Sequence, residues 1–293
     1  MKLKYNENGP NFNTALGIML GSAIGDALGA FLEFEESREP DQYITEYQDG
    51  GPHNLKAGQW TDDTSMALAL ADAMDIHKGG LIAETIMSNW SSWYRKGAFS
   101  STNHCFDIGA TCQKAIELYE DCEDPEKCGS TDKLASGNGG LMRLHPVVIA
   151  ARNEEEAVRN AVCQTSLTHN NKEVLLYSEA FAKELWHGKE LDEYNHLKLP
   201  PDTPRQEVKS GGYVKETYQC AWWCVQNTSS FEEAVITAVN RGHDADTVGA
   251  VTGALAGRIY GEGRIPDNLY NGLYAVDMIR HIAGNLFDLR WRQ

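Results

Sequence analysis

Two short acidic stretches, far apart in the chain, constrain it more than any other feature. Arg241-Gly242-His243-Asp244-Ala245-Asp246-Thr247-Val248-Gly249 sets two carboxylates and a hydroxyl at the head of an apolar, small-residue run. Thr61-Asp62-Asp63-Thr64 does the same ahead of the alanine-rich stretch Ser65 to Met74. Residues i and i+2 of an α-helix point about 200° apart, so Asp244 and Asp246 can serve one site only from an entry turn. Unpaired N–H groups and the helix dipole favour acids in such a turn, and a single Asp there would read as a cap alone. Together the clusters offer four carboxylates and several hydroxyls. These hard oxygen donors, with no Cys or His set beside them, suit Mg²⁺ or Mn²⁺ rather than Zn²⁺. If the two helix heads face each other, they make a two-metal site able to polarise a sugar or phosphate oxygen and activate water.

A site shared by residues 61–64 and 244–247 cannot be cut between them. The chain therefore reads as one domain over 14–293, behind a loose, Asn-rich arm over 1–13. The apolar face Leu16, Met19, Leu20, Ala23, Ile24, Ala27, Leu28 predicts a helix from Thr14, as its cap, to Glu33. Within it Gly21, Gly25 and Gly29 recur every fourth residue and predict a groove for close packing of another helix. Asp26, on this apolar face, is either a polar residue at the helix edge or a carboxylate that orients the metal ligands. A long loop follows from Glu33 to Trp60. Helices are then expected near 64–78, 81–96, 105–121, 153–167, 171–187, 231–240 and 267–282, with an aromatic helix opening after Gly211-Gly212-Tyr213. There is no alternating strand series and no βαβ rhythm, so the fold class is all-α, a compact globular bundle of about ten or more helices.

A 42% hydrophobic content over 293 residues is ample for one core, and the formal charge of −16 disfavours nucleic acid or an anionic membrane as partner. No apolar run reaches membrane-spanning length and no secretory leader is evident, which predicts a soluble, cytoplasmic protein. The seven Cys are scattered without a disulfide or metal spacing and read as reduced packing thiols. Weaker signals lie between the clusters. Ser136-Gly137-Asn138-Gly139-Gly140 runs into Leu141, where flexible backbone can approach a phosphate. His169 sits at a helix junction, Asp107 reads as a helix cap, and Tyr213 after two glycines offers a flat face to a base.

These motifs, in order, resemble the ADP-ribosylglycohydrolase family: Gly25-Asp26-Ala27-Leu28-Gly29 with Glu33, Thr61-Asp62-Asp63-Thr64, Ser136-Gly137-Asn138-Gly139 with Met142-Arg143, Thr168-His169, Gly212-Tyr213-Val214, and Gly242-His243-Asp244-Ala245-Asp246-Thr247. The resemblance implies two Mg²⁺ (or Mn²⁺) held by Thr61, Asp62, Asp63, Asp244, Asp246 and Thr247. It also implies ADP-ribose with its distal ribose on the metals, its diphosphate along Ser136 to Gly139 near His169, and its adenine near Tyr213. Met142, Arg143 and Gly212 belong to that substrate-binding set. Glu33 matches a mobile acidic residue and Asp107 an acid near the scissile bond, while Asp63 or Glu33 is expected to move the proton. Ala110 stands where the nitrogenase-regulating type would have Asn. The expected reaction is removal of ADP-ribose from a modified protein, arginine favoured, reversing a cognate ADP-ribosyltransferase. The alternatives are an O-linked substrate (serine or O-acetyl), an immunity protein that blocks an ADP-ribosylating toxin by contact, and a metal-dependent phosphoesterase.

Overall fold

The computed structural model describes residues 9–291. Among the described residues twelve α-helices run in the order α1 Phe12–Gly29, α2 Asp62–Ile76, α3 Ala83–Lys96, α4 Ala110–Cys122, α5 His145–Ala150, α6 Glu154–Ser166, α7 Lys172–His187, α8 Val214–Gln226, α9 Phe231–Val239, α10 Ala245–Tyr260, α11 Asp267–Gly272 and α12 Val276–Leu289. Short 3₁₀ turns fill the connections, and among the described residues β-pairing is limited to isolated bridges. No helix there is long and apolar enough to cross a membrane.

α1 is the axis of the molecule, buried from Thr14 to Gly29. It lies antiparallel to α10, with Gly17, Gly21, Gly25 and Gly29 facing Gly257, Gly253, Gly249 and Ala245 in turn. The approach is backbone to backbone: a Cβ on Gly25 would stand 1.9 Å from the Gly249 carbonyl oxygen. Only glycine permits this, and the expected groove thus takes as its partner the helix that begins with the second acidic cluster. Around the pair, α2, α8, α9 and α12 close a core that buries Trp60, Trp90, Trp93, Trp186 and Trp222. All seven cysteines are free, with Cys220 and Cys224 packed in a small core of their own.

Several boundaries differ from the sequence expectation. Asn11, not Thr14, caps α1; its side chain accepts from Thr14 N–H while the Thr14 hydroxyl satisfies the Asn11 N–H, a reciprocal capping box. The helix ends at Gly29, before Glu33. Of the arm expected over 1–13, residues 1–8 lie outside the described residues. Pro10 is buried, and its carbonyl accepts from Arg290 at 2.7 Å. The helix expected at 105–121 starts at Ala110, so Asp107 caps nothing. The last helix is two, α11 and α12, parted by Ala275 at a left-handed φ of 49°.

Candidate functional site

The acidic stretches meet as entry turns. Thr61 is the N-cap of α2 with Asp62 and Asp63 in the first turn, and Asp244 is the N-cap of α10 with Asp246 in the first turn. Asp26 reaches the same point from α1. It is fully buried and accepts from Thr61 N (2.8 Å), Thr61 Oγ1 (3.0 Å), Thr64 N (2.9 Å) and Thr64 Oγ1 (2.6 Å). The α1–α10 contact fixes Asp26 against Asp246, and Asp26 in turn fixes the head of α2.

The Thr61 hydroxyl lies 3.0 Å from an Asp246 oxygen, 3.0 Å from Asp26 and 3.3 Å from Asp63, yet has one proton to give. Asp63 Oδ1 and Asp246 Oδ1 are buried with no partner at all. Burial pushes the carboxyls of Asp62, Asp63 and Asp246 well above the usual carboxylate range, and neighbouring carboxylates add to it. Asp244 is also raised by burial, although Asn138 Nδ2 donates to it at 2.6 Å. Ligand oxygens of Asp26, Asp63 and Asp246, of Glu33, Asp244 and Asp246, and of Asp62, Asp107 and Asp246 form three groups, each within 4.8 Å. Orphaned buried oxygens in a purely hard donor set fit divalent cations of the Mg²⁺ or Mn²⁺ kind.

Above this floor opens a cavity of about 600 Å³ lined by Glu33, Asp62, Asp107, Gly137, Asn138, Gly139, Met142, His169, Gly212, Asp244 and Thr247, among others. Thr61, Asp63 and Asp246 lie buried beneath it. Glu33 is brought in by a backbone pairing: Phe34 N–H donates to the His243 carbonyl and His243 N–H to the Glu35 carbonyl. Gly242 is required there, for at φ 66° its Cβ would sit 2.3 Å from the Glu35 carbonyl oxygen.

Not every expected residue faces the cavity. Arg143 is wholly buried, stacked on Trp90, and donates through Nη2 to Thr168 Oγ1 at 2.7 Å. The Thr168 hydroxyl also lies 2.8 Å from His169 Nδ1, which turns Nε2 to the side of Gly137. Burial holds His169 neutral, down to about 3. Arg143 thus serves the cavity by orienting His169. Ser136 belongs to a neighbouring hollow with Asn171 and Glu173, and half-exposed Tyr213 joins its rim through a hydroxyl contact to Glu173.

One residue at the site went unread in the sequence. His53 Nε2 lies 2.5 Å from Glu33 Oε2 and 3.5 Å from Asp107 Oδ1, between the rings of Phe34 and Phe106. The Glu33 hydrogen bond raises the His53 pKa. Burial and the Glu33 charge push Asp107 up to about 7. The only signal for His53 was its place in a long loop inside a compact domain.

An all-helical scaffold with convergent acidic helix heads under a ligand-sized cleft fits a protein that acts on a polar small molecule or group, beside carboxylates that could hold a cation. A model of the ADP-ribosylglycohydrolase family matches residues 8–293, and the chain belongs to that family of ADP-ribosyl glycohydrolase enzymes. It is 35% identical to the ADP-ribosylarginine hydrolase Tri1 of Pseudomonas putida (strain GB-1), across 94% of this chain and 78% of that one. It is 31% identical to the ADP-ribosyl-[dinitrogen reductase] glycohydrolase of Rhodospirillum rubrum, across 86% and 87%. A solved structure of an ADP-ribosylglycohydrolase-related protein complex superposes with a TM-score of 0.81 at 33% identity, covering 95% of this chain and 98% of that one.

Proposed function

We propose that this protein hydrolyses the N-glycosidic bond between ADP-ribose and an arginine side chain of a modified protein, reversing an ADP-ribosyltransferase. Two divalent cations, Mg²⁺ or Mn²⁺, would be held by Thr61, Asp62, Asp63, Asp244, Asp246 and Thr247. The observation that carries the reading is the pair of orphaned buried oxygens, Asp63 Oδ1 and Asp246 Oδ1, under a cavity of ligand size. The linkage rests on the similarity to the ADP-ribosylarginine hydrolases.

Bound cations would supply Lewis acidity toward the ribose hydroxyls and the attacking water. The chain's own residues do the rest. Gly137 to Gly139, with Nε2 of neutral His169, line the path for the diphosphate, and Tyr213 offers its ring at the rim for the adenine. As the bond to the leaving nitrogen breaks, the ribose gains oxocarbenium character, which the buried carboxylates stabilise. Asp63 or Glu33 accepts the water proton and returns it to the leaving guanidine.

The test is release of ADP-ribose from an arginine-modified protein, with Mg²⁺ and with EDTA, for wild type and Asp246→Ala. The expected outcome is metal-dependent release that the variant loses. Release only from a serine-modified or O-acetyl substrate would replace the arginine linkage, AMP as the product would point to phosphoester cleavage, and no release from any would overturn the reading.

A further inference from the structure

A second cavity, of about 380 Å³, opens between the flank of α2 and α12 and shares no lining residue with the cleft. Its volume is within the range of small-molecule sites. Three aromatic residues, Trp60, Phe99 and Tyr274, line it together with Met278, and Asp72 and Asp75 stand on its α2 side.

The aromatic walls are held through the backbone. Trp60 Nε1 donates to the Phe99 carbonyl at 3.3 Å, the Ser101 hydroxyl to the Trp60 carbonyl at 2.7 Å, and Tyr274 N–H to the Gly58 carbonyl at 3.0 Å. Gly58 allows this approach: at φ 83° its Cβ would stand 2.0 Å from the Gly272 carbonyl oxygen. The rings of Trp60 and Tyr274 meet at 5.4 Å between centroids, tilted by 48°. Tyr274 nevertheless stays 48% exposed and Met278 43%, so the protein's own packing leaves this mouth open. Fixed walls around open space cost a ligand little reorganisation.

The charge beside the cavity has one sign. Asp72 accepts from the neutral side-chain amide of Asn89 at 3.0 Å, and among the described residues neither Asp72 nor Asp75 forms an ion pair. Ring faces and carboxylates attract the same guest, an organic cation whose charge they share while its apolar groups fill the space. An anion would meet repulsion from both.

We infer that this cavity is a second ligand site, for a small organic ammonium ion: an alkylated amine with an apolar body, seated against Phe99 and Tyr274 with its charge toward Asp72 and Asp75. None of these side chains belongs to the cation centre or to the ADP-ribose path, so the site stands apart from the arginine reading.

The experiment uses the full chain with Mg²⁺ and ADP-ribose present, so that the acidic cleft is occupied. It is titrated calorimetrically with benzyltrimethylammonium and with α,α-dimethylphenethyl alcohol, a neutral molecule of nearly the same shape. The cation is expected to bind about tenfold more tightly than the alcohol, through ring faces and two partly solvated carboxylates. Replacing both acids, Asp72→Asn with Asp75→Asn, should cut affinity for the cation about three- to tenfold, leaving the alcohol's affinity and the melting temperature as in wild type. Tyr274→Leu should weaken the cation about two- to fivefold, as for an exposed cation–π contact. In methionine-methyl NMR spectra the probe should move the Met278 signal and leave that of Met142, which lines the cleft. Because Met142 reports on the cleft separately, the result reads the same way even if the ADP-ribose reading falls.

Equal affinity for cation and alcohol would overturn the proposal, as would wild-type cation binding by the doubly substituted protein. A shift at Met142 in place of Met278 would put the probe in the cleft instead. No binding of either probe at millimolar concentration would also overturn it and leave the cavity to an apolar side chain of a protein partner.

Discussion

The carboxylates on the floor of the cleft ride on helices, whereas those at its lip ride on loops. Asp26, Asp62, Asp63 and Asp246 are placed by the first turns of α2 and α10 and by the glycine contact of α1 with α10. Glu33, His53 and Asp107 sit in connections, all three beside or at left-handed residues, and are held by a few contacts to one another. The floor is rigid because its backbone has nowhere else to go. The lip is shaped by side chains that can be exchanged, which suits a centre of fixed chemistry under a variable substrate wall.

Substitution at the two regions should break this contrast most visibly. Gly25→Ala forces a Cβ to within 1.9 Å of a backbone oxygen with no side chain able to yield. Its expected cost exceeds about 4 kcal/mol, a drop in melting temperature on the order of 10 °C. Phe34→Ala at the lip should leave the melting temperature where it is. Equal shifts in the two variants, by calorimetry, would erase the distinction.

Asp26→Asn sharpens it within the floor. The amide keeps the volume but offers one acceptor where Asp26 receives four bonds, two of them from backbone N–H groups. Mn²⁺ affinity, by calorimetric titration, should fall about 10–100-fold. An unchanged affinity would mean that Asp26 does not orient the floor.

A smaller effect concerns the metal-free protein. Asp26 is raised by burial from an ordinary value of 3.8 to about 6, and Asp107 to about 7. A carboxyl whose folded pKa is raised contributes stability that is full below its unfolded value and is lost as pH rises through the folded one. With EDTA, the melting temperature should therefore fall between about pH 5 and about pH 8, and saturating Mg²⁺ should flatten the slope. A metal-free protein that gains stability over that range would contradict the picture of a repulsive, cation-requiring floor.

The same contrast explains what could be read from the sequence. Carboxylate pairs at the heads of small-residue helices, and glycines every fourth residue in α1, carry their geometry in their spacing, so Asp62, Asp63, Asp244, Asp246 and the groove that joins α1 to α10 were all legible. Asp107 read as a cap from its own neighbours, because its left-handed turn leaves no periodic trace, and only the family resemblance set it at the site. His53 was missed since a lone histidine in a loop says nothing of the Glu33 it will meet. Arg143 was found by its motif but placed at the substrate, whereas it works from behind, through Thr168 and His169.

The most direct test of the helix-borne floor is anomalous diffraction at the manganese edge from crystals grown with Mn²⁺. Two peaks about 3.5–4 Å apart, the spacing of two-metal hydrolytic sites, are expected among Thr61, Asp62, Asp63, Asp244, Asp246 and Thr247. No peak among those six residues, or a single one at Glu33, His53 and Asp107, would contradict the account.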